Sequence, residues 1–160
     1  MTPPVHAAFS LPLSFVFYYL FKSSAAAFVC FMMGVFIDID HLIDYYRFER
    51  VKPRVSDLFN LWIIRKHWKA PHIMDKLYLV LHSYEVCIVA VALSVYFFGP
   101  LIGAAVFAGY LSHLLLDNFG NYVHPMTYFL IYRFAYQFNT EKFFRRKRPV
   151  ELFTNSKERF

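Results

Sequence analysis

Charge is scarce in this chain, and thiols are scarcer still. Only 18% of its 160 residues are charged, against about a quarter in soluble domains, and 58% are hydrophobic. The two cysteines, Cys30 and Cys87, sit inside apolar runs without CxxC spacing, so they read as small buried hydrophobes. The N-terminus has no basic n-region and no small-residue cleavage site, so the first apolar run is expected to be retained. Internal repeats and low-complexity segments are absent as well. The composition excludes an ordinary soluble domain and indicates an integral membrane protein.

The chain has 20 Phe and 12 Tyr, a mean hydropathy of +0.38 and a net charge of +6. Of the 17 basic residues, all but Lys22 and Arg133 lie in two blocks, 47–76 and 142–159, each beside an apolar run. Polybasic segments sit this way against anionic lipid head groups. No nucleic-acid motif accompanies them, so nucleic acid is not an expected partner.

Four apolar runs are expected to form the core of an all-α membrane bundle. They cover 7–21, 25–44, 77–99 and 101–118, with turns at Lys22–Ser24 and at Gly99-Pro100. Residues 45–76 form a basic insertion whose 56–68 stretch reads as an amphipathic interfacial helix. Residues 122–139 are aromatic with Arg133 in the middle, which predicts a helix lying along or dipping into the interface. The expected organisation is one embedded domain over 1–139 and a basic surface tail over 140–160. Positive residues on the side of 45–76 place that side in the cytoplasm.

The polar intrusions into these runs carry the chemistry. They are His6, the Gly34–Asp44 stretch with Asp38, Asp40, His41 and Asp44, then His82 with Glu85, and His113 with Asp117. Ionisable groups are expensive beside hydrocarbon unless paired, metal-bound or lining a wet cavity. Alternating helix directions put all four groups on one side of the membrane. Each lies about 12 to 17 residues from the opposite turns, roughly 18–26 Å at the helical rise. His113/Asp117, His82/Glu85, Asp38/His41 and Asp40/Asp44 are three or four apart, so each pair is expected to share a helix face.

Imidazole with carboxylate and no thiolate suits zinc, manganese or iron(II) outside a structural zinc site. The expected metal ligands are His6, Asp38, Asp40, His41, His82, His113 and Asp117, more than one ion needs, so two or more are expected. Such clusters commonly activate water against phosphoesters. Glu85 or Asp44 would serve as general base, and Arg47, Arg65, Lys66 and His124 would contact substrate. A site just inside the interface suits a lipid-like phosphoester, with membrane lipid as the surrounding partner. A metal-ion transporter or channel could use the same residues, as could a protein whose metal only holds the bundle together.

The order His6, Asp38-Ile-Asp40-His41, His82-Ser83 and Ser112-His113-Leu-Leu-Leu-Asp117, trailed by Gly120 and Pro125, resembles the YdjM-type inner-membrane proteins. The likeness covers roughly residues 5–130. Those proteins are described as membrane-bound, metal-dependent hydrolases, remotely similar to zinc-dependent phospholipase C and P1 nuclease. The resemblance therefore implies a helical fold, clustered zinc and phosphoester hydrolysis. The chain departs from the pattern where relatives often show His-Arg-Gly before His-Ser: residues 77–81 read Leu-Tyr-Leu-Val-Leu. His113-x-x-x-Asp117 is also similar to the last motif of membrane phosphatidic-acid phosphatases, but their Lys/Arg-Pro and Pro-Ser-Gly-His motifs are absent.

Overall fold

The first helix opens on prolines. Pro3 and Pro4 stand where helical amides have no partner anyway, and α1 runs Pro3–Phe21 through an internal Pro12. A turn through Lys22, at φ +50°, leads to Ser23, whose hydroxyl accepts from the Ala26 amide and starts α2, Ser24–Phe36. The computed structural model describes residues 3–49, 76–121 and 123–143. Their regular elements are all helices, with no β-strand among the described residues, and Lys76 and Asn139 form an isolated bridge.

The helix expected over 25–44 is interrupted at Ile37 and Asp38. There Asp40 and His41 amides bond three residues back, and α3 begins afresh over Ile39–Glu49. The third apolar run does not start as a helix either. Residues 77–83 form a folded loop, and α4 covers only Tyr84–Phe98, capped by Ser83. Gly99, at φ +87°, makes the expected hard turn before Pro100 and α5, Pro100–Gly120.

Three stretches, Pro4–Phe21, Ser24–His41 and Pro100–Gly120, are long and apolar enough to cross a membrane. At 15 residues α4 reaches about 22 Å, short of a bilayer core. The all-α expectation is met, while the fourth core helix is shorter than a span. Residues 123–143 are not one interfacial helix: they fold as a 3-10 turn at Pro125–Tyr128, a short α6 at Leu130–Ala135 and a second 3-10 turn at Thr140–Lys142. The 56–68 stretch, expected as an amphipathic helix, and most of the tail lie outside the described residues.

Helix α5 is the hub, packing against α1, α2 and α4. Glycines permit its closest approach. A Cβ on Gly109 would lie 2.2 Å from the Cys30 carbonyl oxygen of α2, and one on Gly34 would lie 2.1 Å from Ser10 Oγ of α1. Small residues at helix interfaces are the usual way membrane helices gain contact, because lipid offers no hydrophobic drive between them. Phe15, Tyr19, Phe28, Ile88, Tyr96 and Phe97 project outward and exposed, as a lipid-facing surface would.

Candidate metal centre

Five separate parts of the fold deliver ionisable side chains to one point. His6 comes from the first turns of α1, Asp38 from the break after α2, and His41 from α3. His113 and Asp117 share a face of α5, and His82 comes from the loop before α4. The structure brings these six residues together, His82 from a loop rather than from the expected helix start. His6, His82, His113 and Asp117 are at most 2% exposed, and Asp38 is 8% exposed.

Asp38 lies at the middle of the cluster. Its Oδ1 is 3.3 Å from His82 Nε2, 3.5 Å from His113 Nε2 and 3.8 Å from His41 Nε2. Asp117 Oδ2 lies 3.4 Å from His82 Nε2 and 3.7 Å from His113 Nε2, while its Oδ1 is 3.1 Å from His6 Nε2. The two Nε2 atoms of His82 and His113 face each other at 3.2 Å, and the His6 ring stacks on His113 with centroids 3.8 Å apart.

These separations test whether a metal fits. A tetrahedral ion with bonds of about 2.0–2.1 Å holds its ligand atoms roughly 3.3–3.4 Å apart. The nitrogens and oxygens of His82, His113, Asp38 and Asp117 stand 3.2–3.7 Å apart. Two groups could hold an ion: His6, Asp38, His113 and Asp117, and Asp38, His41 and His82. They share Asp38. Neither oxygen of that buried carboxylate has a well-formed hydrogen bond; imidazoles 3.3–3.8 Å away meet its charge in part, and a cation between them would satisfy it further.

The histidines are held from behind. His113 Nδ1 is 2.9 Å from the Gly34 carbonyl oxygen, which leaves Nε2 free to face the cluster. His82 Nδ1 is 2.9 Å from Asp40 Oδ1, and Asp40 Oδ2 accepts from the Leu81 amide. Asp40, expected as a ligand, belongs to neither metal-capable group; it stands behind His82 as carboxylates stand behind metal-bound histidines. Burial pulls the His82 imidazole down, but the charge of Asp40 and contacts with Asp117 and Asp38 outweigh it and hold its pKa well above the ordinary value.

Both residues expected as general bases have other partners. Asp44 Oδ2 accepts from the Tyr78 and Leu79 amides at 2.7 and 2.9 Å. Burial raises its pKa, opposed by those amides. Glu85 accepts from the Leu130 and Ile131 amides at the start of α6, so its carboxylate holds that helix in place rather than facing the cluster. Nor do Glu85 and His82 share a helix face, since His82 precedes the helix.

The expected substrate contacts fare unevenly. The Arg47 guanidinium stacks 4.1 Å over the Tyr78 ring, and His124 caps the 3-10 turn by accepting from the Met126 amide. Arg65 and Lys66 lie outside the described residues. The sequence reading missed the duty of Arg133. It is 2% exposed and donates to the carbonyls of Tyr78, Leu79 and His82. A single arginine inside an aromatic, otherwise apolar run was the available signal. Burial lowers its pKa, against the charges of Asp40, Glu85 and Asp44.

Fold and site together define an all-α chain with membrane-length helices around a buried His/Asp centre that could hold a metal ion. No family model, no curated protein and no solved structure matches it.

Proposed function

We propose that this chain is a multi-pass membrane hydrolase of the YdjM type, cleaving a lipid-like phosphoester with two or more divalent ions, zinc foremost. The observation that carries the reading is Asp38: one carboxylate oxygen faces three imidazole nitrogens at 3.3–3.8 Å and belongs to both metal-capable groups. Bound zinc would supply a water of lowered pKa and charge to stabilise the phosphoryl oxygens. His6, Asp38, His113 and Asp117 would hold one ion, and Asp38, His41 and His82 the other.

His41, 18% exposed, is the member most open to solvent and marks the side from which substrate would arrive. Arg47, exposed on α3 a turn and a half beyond it, suits the substrate's anionic head. The sequence between α3 and the 77–83 loop is basic, so positive-inside orientation would put the site at the cytoplasmic face. Hydrolysis is favoured over ion transport because the buried ionisable residues, among those described, cluster with the loop and hairpin beside the site. No continuation toward the Gly99 turn is visible among them.

Elemental analysis of detergent-purified protein, beside a His113→Ala/Asp117→Ala variant, tests the reading. Two equivalents of zinc in the parent and their loss in the variant are expected, together with release of phosphate from an amphiphilic phosphoester. A parent that binds no metal after supplementation would overturn it, and one that binds metal but cleaves no phosphoester would leave only a structural or transport role.

A further inference from the structure

We propose that Arg133 is the positioning residue for His82, fixing that ligand through the backbone of the loop that carries it. The inference rests on the metal reading above and concerns a residue outside the cluster. His82 is the one ligand not presented by a helix or a helix break, so its placement depends on what holds residues 77–83 in shape.

That loop cannot hold itself. Irregular backbone at membrane depth persists only where its polar groups find partners within the protein. The carbonyls of residues 78–82 all have donors. Ser83 Oγ serves Val80, and the Tyr110 hydroxyl serves Leu81. Arg133 serves the remaining three, sharing Leu79 with the His82 amide. On the other side, Asp44 and Asp40 take the amides of Tyr78, Leu79 and Leu81. Leu79 sits at φ +41°, a left-handed conformation that a leucine adopts only under constraint.

The guanidinium grips the carbonyl of His82 itself at 3.0 Å, while the His82 ring is steadied by Asp40. A planar fork with several donors suits this task better than any other side chain. Arg133 is brought there by the hairpin of residues 123–143, tied to the loop where the Leu77 amide donates to the Phe138 carbonyl. The same duty explains why a charged residue stands in an aromatic run.

The test is zinc affinity, measured by chelator competition on the full chain in detergent, for the parent, His82→Ala, Arg133→Met, Arg133→Lys and the double variants. Arg133→Met should weaken zinc binding by about 10–100-fold, the range for outer partners of metal ligands. Once His82 is gone, the second change should add nothing, because both act through one ligand. Arg133→Lys should recover part of the loss. Parental affinity in Arg133→Met, or losses that multiply in the double variant, would overturn the proposal. If Arg133→Met fails to fold, Arg133→Lys in the parent and in the His82→Ala background decides: weaker zinc binding only where His82 is present supports the proposal, and parental affinity or an equal loss in both backgrounds overturns it. A parent without zinc affinity would remove the metal reading itself, a result distinct from any of these.

Discussion

Gly109→Ala should loosen the metal centre without touching a ligand. The new Cβ would lie 2.2 Å from the Cys30 carbonyl oxygen, about 1.2 Å closer than the 3.4 Å at which ordinary contact begins. The obstacle is helix backbone, so no rotamer change relieves it, and α2 and α5 must part by about that distance. Overpacking of this kind costs about 1–3 kcal/mol. For a chain of this size that lowers the melting temperature by roughly 3–10 °C. Gly109 is one turn before His113, and Cys30 is one turn before Gly34, whose carbonyl steadies His113 at 2.9 Å. Opening the helices by 1 Å there carries that contact beyond hydrogen-bonding range, and zinc affinity should fall by about 10–100-fold. Thermal unfolding by circular dichroism and chelator competition read the two effects. Gly103→Ala is the control: its Cβ would strike Val95 Cγ2 at 2.2 Å, on the α4 side and far along α5 from the cluster, so stability should drop while zinc affinity holds. Parental melting and affinity in Gly109→Ala, or equal zinc loss in both variants, would refute the reasoning.

Two further outcomes separate the roles within the site. Asp38→Asn should abolish stoichiometric zinc, since the carboxylate serves both metal-capable groups, whereas Asp40→Asn should keep the stoichiometry and weaken affinity by about 10–100-fold; elemental analysis with chelator competition distinguishes them. His82, on its loop outside the three spans, has a pKa raised above 6.5 in the folded metal-free state. Its protonation therefore stabilises the metal-free fold fully below that value, and the contribution disappears as pH rises through the raised one. Melting of metal-free protein should fall from pH 6 upward, while zinc, which must displace that proton, should raise the melting temperature more at higher pH; parallel pH profiles with and without zinc would contradict this.

The reach of sequence reasoning here followed the regularity of the backbone. His6, Asp38, His41, His113 and Asp117 were legible because helix rise and alternation fix depth, and depth alone brings them together. Gly99-Pro100 was legible because only such residues make that turn. His82 was placed in the correct layer for an incorrect reason: the apolar run from Leu77 reads as helix, and hydropathy cannot distinguish a helix from a loop whose carbonyls are taken by a distant arginine. The same blindness assigned Glu85 to catalysis. A carboxylate three residues from a histidine shares its face only if both are helical, and here the helix begins between them.

Asp38 shows how a broken local rule identifies the site. It stands just before the first residue of α3, where an aspartate ordinarily accepts from the amides of the following turn. Such a cap stabilises a helix by about 0.5–2 kcal/mol, and the Asp38 carboxylate forgoes it to face three imidazole nitrogens. Asp40 and Asp44, a few residues on, each take backbone amides as buried carboxylates should. The contrast within one short stretch is informative because the three share residue type and burial and stand within residues 38–44 around the start of one helix, yet Asp38 faces three imidazole nitrogens rather than backbone amides. A cap would have satisfied the carboxylate locally, and burying a charge without well-formed hydrogen bonds costs more than a cap contributes. A charge of opposite sign among the histidines would offset that penalty. Protonated imidazole supplies part of it when metal is absent, and a divalent ion supplies more. That competition is why the zinc-induced rise in melting temperature should grow with pH.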